Sequence, residues 1–129
     1  MKLPYLEVKY LRGKVEATIK TEGEFVLKGT KVILVDGENS GEVFEEPEDG
    51  IIGSTFKILF IPKSVNERFV LYFLEMNRKL LKDNKKGAAI PHLNKDIFNN
   101  LIIPLPPIEE QQRIVEILDK LLLLCDGLV

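Results

Sequence analysis

The chain has 129 residues, 45% of them hydrophobic and 29% charged, with a formal net charge of −2. That is enough for one domain with a real core, and it excludes any bulk electrostatic attraction to nucleic acid or membrane. A single cysteine excludes an internal disulfide, no apolar run approaches the roughly 20 residues that span a bilayer, and Met1–Tyr5 lacks a signal-peptide core, so a cytoplasmic protein is expected.

In chain order, residues 5–11 are rich in aromatic and branched side chains and predict a strand ended by Gly13. Residues 15–21 alternate Val15, Ala17 and Ile19 against Glu16, Thr18 and Lys20, which predicts a half-buried strand. Phe25–Leu27 is a short apolar segment, and Lys31–Val35 an apolar run bounded by turn signals, the pattern of a buried strand. Asp36-Gly and Ser40-Gly mark a tight loop over 36–41, followed by a brief strand at Val43 and Phe44. Residues 45–50 predict an acidic surface loop, and residues 51–61 the longest strand, interrupted at Gly53.

The period then changes. Ser64 and Glu67 have capping-box spacing, and Phe69, Val70, Phe73, Leu74, Leu80 and Leu81 predict an amphipathic helix over 65–82. Residues 87–93 predict a loop or short strand, and Asn94 caps a short helix over 95–99. Pro104, Pro106 and Pro107 predict an extended strand over 101–105, then a helix start, with Glu109 and Glu110 where the helix dipole favours negative charge. Ile114, Leu118, Leu121, Cys125 and Leu128 recur at spacings of 4, 3, 4 and 3, a heptad seam that predicts a helix interface and self-association. Leu121–Leu124 make that end apolar nearly all round, which calls for burial on more than one side. The class is α+β: a β-rich globular domain with short helices, then a long C-terminal helix.

Charge is unevenly spread. Residues 36–50 hold seven acids and no base, whereas residues 57–95 hold nine bases against Glu67, Glu75 and Asp83. Five of those bases, Arg78, Lys79, Lys82, Lys85 and Lys86, follow one another at a predicted helix end. Cations favour a helix C-terminus, so a solvated face explains them; a patch contacting phosphates explains them as well. No catalytic constellation is present. His92 has no cysteine nearby in sequence, there is no phosphate loop or zincin motif, and the 36–42 loop lacks calcium-ligand spacing, so neither a metal nor a cofactor is expected. Pro104-Leu-Pro-Pro107 matches a PxxP ligand, but its place between strand and helix gives the prolines a structural role.

The segment Ile103-Pro-Leu-Pro-Pro-Ile-Glu-Glu-Gln-Gln-Arg-Ile-Val115 closely resembles the junction in specificity subunits of type I restriction–modification systems. There a Pro-Leu-Pro-Pro-x-x-Glu-Gln-x-x-Ile-Val pattern joins a target-recognition domain to a spacer helix. Leu3–Arg12, Gly29–Val35, Gly50–Phe56 and Gly87–Asn100 also fit, so the resemblance covers nearly the whole chain. It implies a target-recognition domain over residues 1–106, lacking the family's usual N-terminal segment, and a spacer or dimerisation helix over 107–129. It further implies a subunit without catalysis of its own, which recognises one half of a bipartite site on double-stranded DNA and directs DNA methyltransferase and restriction subunits there. Two copies pairing helices would rebuild the family's two-domain arrangement. With the resemblance in hand, the candidate DNA contacts are Ser54, Thr55, Lys57, Arg78, Lys79, Lys82, Lys85, Lys86 and His92. The alternative is a protein-interaction module that assembles a complex through its C-terminal helix without touching DNA.

Overall fold

The structure, a computed structural model, describes residues 2–83 and 92–127. Its elements in chain order are β1 (Leu3–Pro4), α1 (Val8–Leu11), β2 (Ile19–Lys20), β3 (Glu24–Val26), β4 (Lys31–Leu34), β5 (Val43–Glu45), β6 (Gly50–Ile52), β7 (Phe56–Ile58), α2 (Glu67–Met76), α3 (Arg78–Leu81), β8 (Lys82–Asp83), β9 (His92–Leu93), α4 (Lys95–Asn100) and α5 (Ile108–Gly127). All strand pairs are antiparallel: β1 with β2, β3 with β6, β8 with β9, and a three-stranded sheet in the order β5-β4-β7.

The centre of the molecule is β4. Val32 and Leu34 pack on one side with Leu6, Val26, Ile52 and Phe56. Ile33 packs on the other side with Val70, Leu74, Leu81 and Leu93. A strand buried on both faces needs a continuous apolar run rather than an alternation, which is how residues 31–35 read. The first core lies under the small sheets and the second joins the sheet to the helices. The 51–61 strand divides at Gly53 as expected, but its halves join different sheets. Close approach sets that break: a Cβ at Gly53 would lie 2.2 Å from the Tyr5 hydroxyl, and one at Gly50 2.6 Å from Leu6.

Several expectations are corrected. Residues 5–11 do not form a strand. Tyr5 makes an isolated bridge to Ile51, and the chain then turns helical, because Val8 and Leu11, three apart, both lean on the first core. Of residues 15–21 only Ile19 and Lys20 pair. Their partner β1 is two residues long and includes a proline, and among the described residues Val15 and Ile19 are left exposed. In the acidic loop, Glu46 is buried rather than solvated. The cap of α2 is Asn66, not Ser64: its Oδ1 accepts the Phe69 N–H at 3.0 Å. The 65–82 helix is interrupted at Asn77, whose side chain donates to the Phe73 carbonyl at 2.8 Å and leaves helical geometry (φ −102, ψ 11). Asn94 does cap α4, accepting from the Ile97 N–H at 3.0 Å.

Residues 101–105 pair with no strand among the described residues; prolines remove ladder donors, and the segment instead lays Leu101 and Ile103 on the second core. Pro107 immediately precedes α5, its carbonyl accepting from the N–H groups of Glu110 and Gln111 at 2.9 and 3.0 Å. Among the described residues no helix is long and apolar enough to cross a membrane.

Candidate nucleic-acid interface

The loops that follow β4 and β6 and the end of α3 meet at one edge of the sheet. The Val35 N–H donates to the Thr55 carbonyl at 2.8 Å, and the Val35 carbonyl accepts from the Leu93 N–H at 2.8 Å. Asp36 bridges to His92, and Lys82 pairs with Leu93. Three sequence-distant segments, around residues 36, 55 and 92, are thereby stitched side by side.

Between them stands the 36–41 loop. Gly37 and Gly41 take left-handed backbone (φ 95 and 94), and buried Ser40 donates its hydroxyl to the Gly37 carbonyl at 2.6 Å. The loop is therefore a preformed ridge with Asp36, Glu38 and Asn39 exposed along it. A cleft of about 520 Å³ on one side is lined by Glu38, Ser40, Glu75, Arg78, Lys79 and Lys82. A cleft of about 410 Å³ on the other includes Tyr5, Lys9, Asp36, Asn39 and Thr55.

The bases of the first cleft are largely committed to acids. Arg78 contacts Glu75 at 3.1 Å and Glu42 at 3.9 Å, Arg12 reaches the same Glu42 oxygen at 2.5 Å, and Lys82 meets Glu38 at 2.8 Å. Lys79 is exposed and makes no ion pair among the described residues. Surface pairs of this kind contribute about 0–1 kcal/mol each, so a polyanion can displace them at small cost.

The structure thus brings together Thr55, Arg78, Lys79, Lys82 and His92. Ser54 is exposed in the same turn as Thr55. Lys57 is exposed on the edge strand β7, opposite Ile33, and lines neither cleft. Lys85 and Lys86 lie outside the described residues. Sequence reasoning overlooked Lys9 and Arg12. The signal was there: residues 1–20 hold Lys2, Lys9, Arg12, Lys14 and Lys20 against only Glu7 and Glu16. No group of three or more potential metal ligands occurs among the described residues.

The contact of α5 with α2 uses a face next to the heptad seam. The face of α5 buried on α2 carries Gln111 and Val115, while Ile114 and Leu118 are half-buried. Asp119 completes that face, receiving hydrogen bonds from Arg68 and Tyr72. Leu121 and Cys125 are exposed, and Leu128 lies outside the described residues. With residues 111, 115 and 119 turned to α2, helical geometry sends Ile117, Leu121 and Leu124 outward, at 50, 51 and 65% exposure. Among the described residues, the face carrying Gln111, Val115 and Asp119 meets α2, and the apolar stripe Ile117, Leu121 and Leu124 is exposed.

The chain is thus a β-rich head whose loops converge on one edge, joined through prolines to a helix strapped to α2 on one face and exposed on the other. The type I restriction modification DNA specificity domain matches residues 1–128, and the chain belongs to that family. It is 40% identical over 119 residues to the type I restriction enzyme MjaVIII specificity subunit of Methanocaldococcus jannaschii, covering 89% of this chain and 28% of that protein. To the EcoBI specificity subunit of Escherichia coli it is 26% identical over 106 residues, covering 82% and 22%. The crystal structure of the HsdS subunit from Thermoanaerobacter tengcongensis superposes with a TM-score of 0.71 at 27% identity, covering 98% of this chain and 31% of that one. The chain spans less than a third of the length of each of these relatives.

Proposed function

We propose that this chain is a target-recognition unit of a type I restriction–modification specificity subunit. Residues 1–106 contact double-stranded DNA, and the helix over 107–129 joins it to the rest of the complex. The observation that carries the proposal is the convergence, within this family's fold, of the 36–41 ridge, the turn at Ser54 and Thr55, and Arg78, Lys79, Lys82 and His92 on one edge. Arg78, Lys79 and Lys82 take phosphates, Arg78 and Lys82 exchanging carboxylate partners for the polyanion, and Lys85 and Lys86 extend the same basic run. The exposed ridge side chains suit base edges, since an amide such as Asn39 matches adenine and carboxylates such as Asp36 and Glu38 accept from cytosine. The subunit supplies recognition only, and methyl transfer and cleavage belong to the methyltransferase and restriction subunits it directs to one half of a bipartite site.

The test is selection of duplexes from a randomised library by the chain assembled with its methyltransferase subunits. Enrichment of one short half-site is expected; an unenriched pool overturns the proposal. A second reading, a pure interaction module, is favoured by one observation: Arg78 and Lys82 are already paired with acids. It predicts assembly with the methyltransferase but no DNA retention at any salt concentration. The outward stripe Ile117, Leu121 and Leu124 serves a partner helix, and in the absence of other chains a second copy supplies it.

A further inference from the structure

Gln111 is a polar side chain in a buried place, only 4% exposed. Its Oε1 accepts the Asn66 N–H at 2.8 Å, and its Nε2 donates to the Pro106 carbonyl at 2.8 Å. Its own N–H bonds the Pro107 carbonyl at 3.0 Å. Asn66 is the N-cap of α2, and Pro106 stands in the joint before α5. One amide therefore fastens three things together: the first turn of α5, the proline joint and the start of α2. The chemistry demands an amide. One acceptor and one donor are needed on the same planar group, and both partners are backbone groups that would be left unsatisfied by an apolar replacement.

Eight residues later Asp119 receives Tyr72 and Arg68, so α5 runs parallel to α2 and is held at two points two turns apart. The far point is exposed, with Arg68 and Asp119 side chains at 60% and 40%. The near point is buried and sits at the pivot.

We propose that Gln111 is the positioning residue that fixes the direction in which α5 leaves the globular part, and so the direction in which Ile117, Leu121 and Leu124 are presented; its consequence for assembly rests on the function proposed above. An isolated helix start would tolerate many residues here, whereas a pivot tolerates only a side chain that satisfies Asn66 and Pro106 together.

The test is a distance distribution between spin labels in the full chain, one on native Cys125 and one at Lys28→Cys, diluted with unlabelled chain to remove intermolecular pairs. Both positions are exposed, and Cys125 is the chain's one cysteine. The parent chain should give one narrow distribution at pH 5 and pH 8. Gln111→Leu should at least double its width. Gln111→Glu should be broad at pH 8, where a carboxylate cannot donate to Pro106, and return to the parent width at pH 5, where burial at this position holds the carboxyl protonated so that it both donates and accepts. A role in bulk stability alone would broaden the distribution only in step with a fall in the thermal midpoint, whereas a pivot broadens it in a chain that is still fully folded at the temperature of the measurement. Should the leucine variant fail to fold, the glutamate variant decides: equal widths at both pH values overturn the assignment. A parent chain that never retains DNA would sink the proposed function while leaving the widths interpretable.

Discussion

Tyr72 on α2 donates its hydroxyl to Asp119 on α5, and Arg68, one turn earlier on α2, donates to the same carboxylate oxygen at 2.5 Å. This contact makes α5 an arm lashed to the domain for its first half rather than a free rod. The Tyr72 hydrogen bond, and then Arg68, hold the Asp119 carboxyl below its ordinary value of 3.8. A depressed folded-state pKa stabilises above the ordinary value and ceases to do so as pH falls through the depressed one. Amide protection factors over residues 117–127, taken against the intrinsic rate at each pH, should therefore fall as pH drops below 3.8, and Asp119→Asn should show the lowered protection already at neutral pH. Equal exchange in parent and variant at pH 7 would remove the strap from the account.

Glu46 should give the opposite pH dependence. It is 1% exposed, neither of its oxygens has a hydrogen-bond partner, and burial pushes its pKa up to about 7. A raised carboxyl pKa costs nothing below the ordinary 4.5, costs progressively more as pH rises from there to about 7, and is constant above. Glu46→Gln should thus match the parent in thermal unfolding near pH 5 and exceed it at pH 8 by on the order of 2 kcal/mol. A constant difference across that range would show that ionisation is not the cause.

Ile33 is the side chain through which the sheet meets the helices. Ile33→Ala should lose about 2–4 kcal/mol in denaturant unfolding, and the loss should fall on both layers in one transition. Two separate transitions would contradict a shared core.

The outward face of α5 yields a prediction about association. Replacing Ile117, Leu121 and Leu124 together with serine should abolish self-association in sedimentation and leave the α2 contact intact, whereas replacing Leu118 should disturb the strap. Dimerisation that survives the triple change would place the interface elsewhere.

Much of this was legible in the residues. The apolar run at β4, the Asn94 cap, the helix start after Pro107 and the Gly53 break all follow from local chemistry. What failed depended on partners distant in sequence. The alternation over 15–21 was real, but among the described residues Val15 and Ile19 are left exposed. Ser64 had the spacing of a cap, yet Gln111, 45 residues away, claims the Asn66 N–H and sets the helix start two residues later. The heptad over 114–128 identified an apolar helix without showing that Gln111, Val115 and Asp119 would turn to α2 and rotate the open seam to Ile117, Leu121 and Leu124. At the candidate interface the basic run was visible, but its pairing with Glu38 and Glu42 was not, because loop and helix end meet only in the fold.

The most direct test of the central claim is the salt dependence of binding to a selected duplex by the chain in complex with its methyltransferase subunits. Each phosphate neutralised contributes about 0.9 to the slope of log affinity against log salt. Combining Arg78→Ala, Lys79→Ala and Lys82→Ala should weaken binding to specific and random duplexes alike and flatten the slope by about 2–3. An unchanged slope with unchanged affinity would contradict DNA contact at this edge.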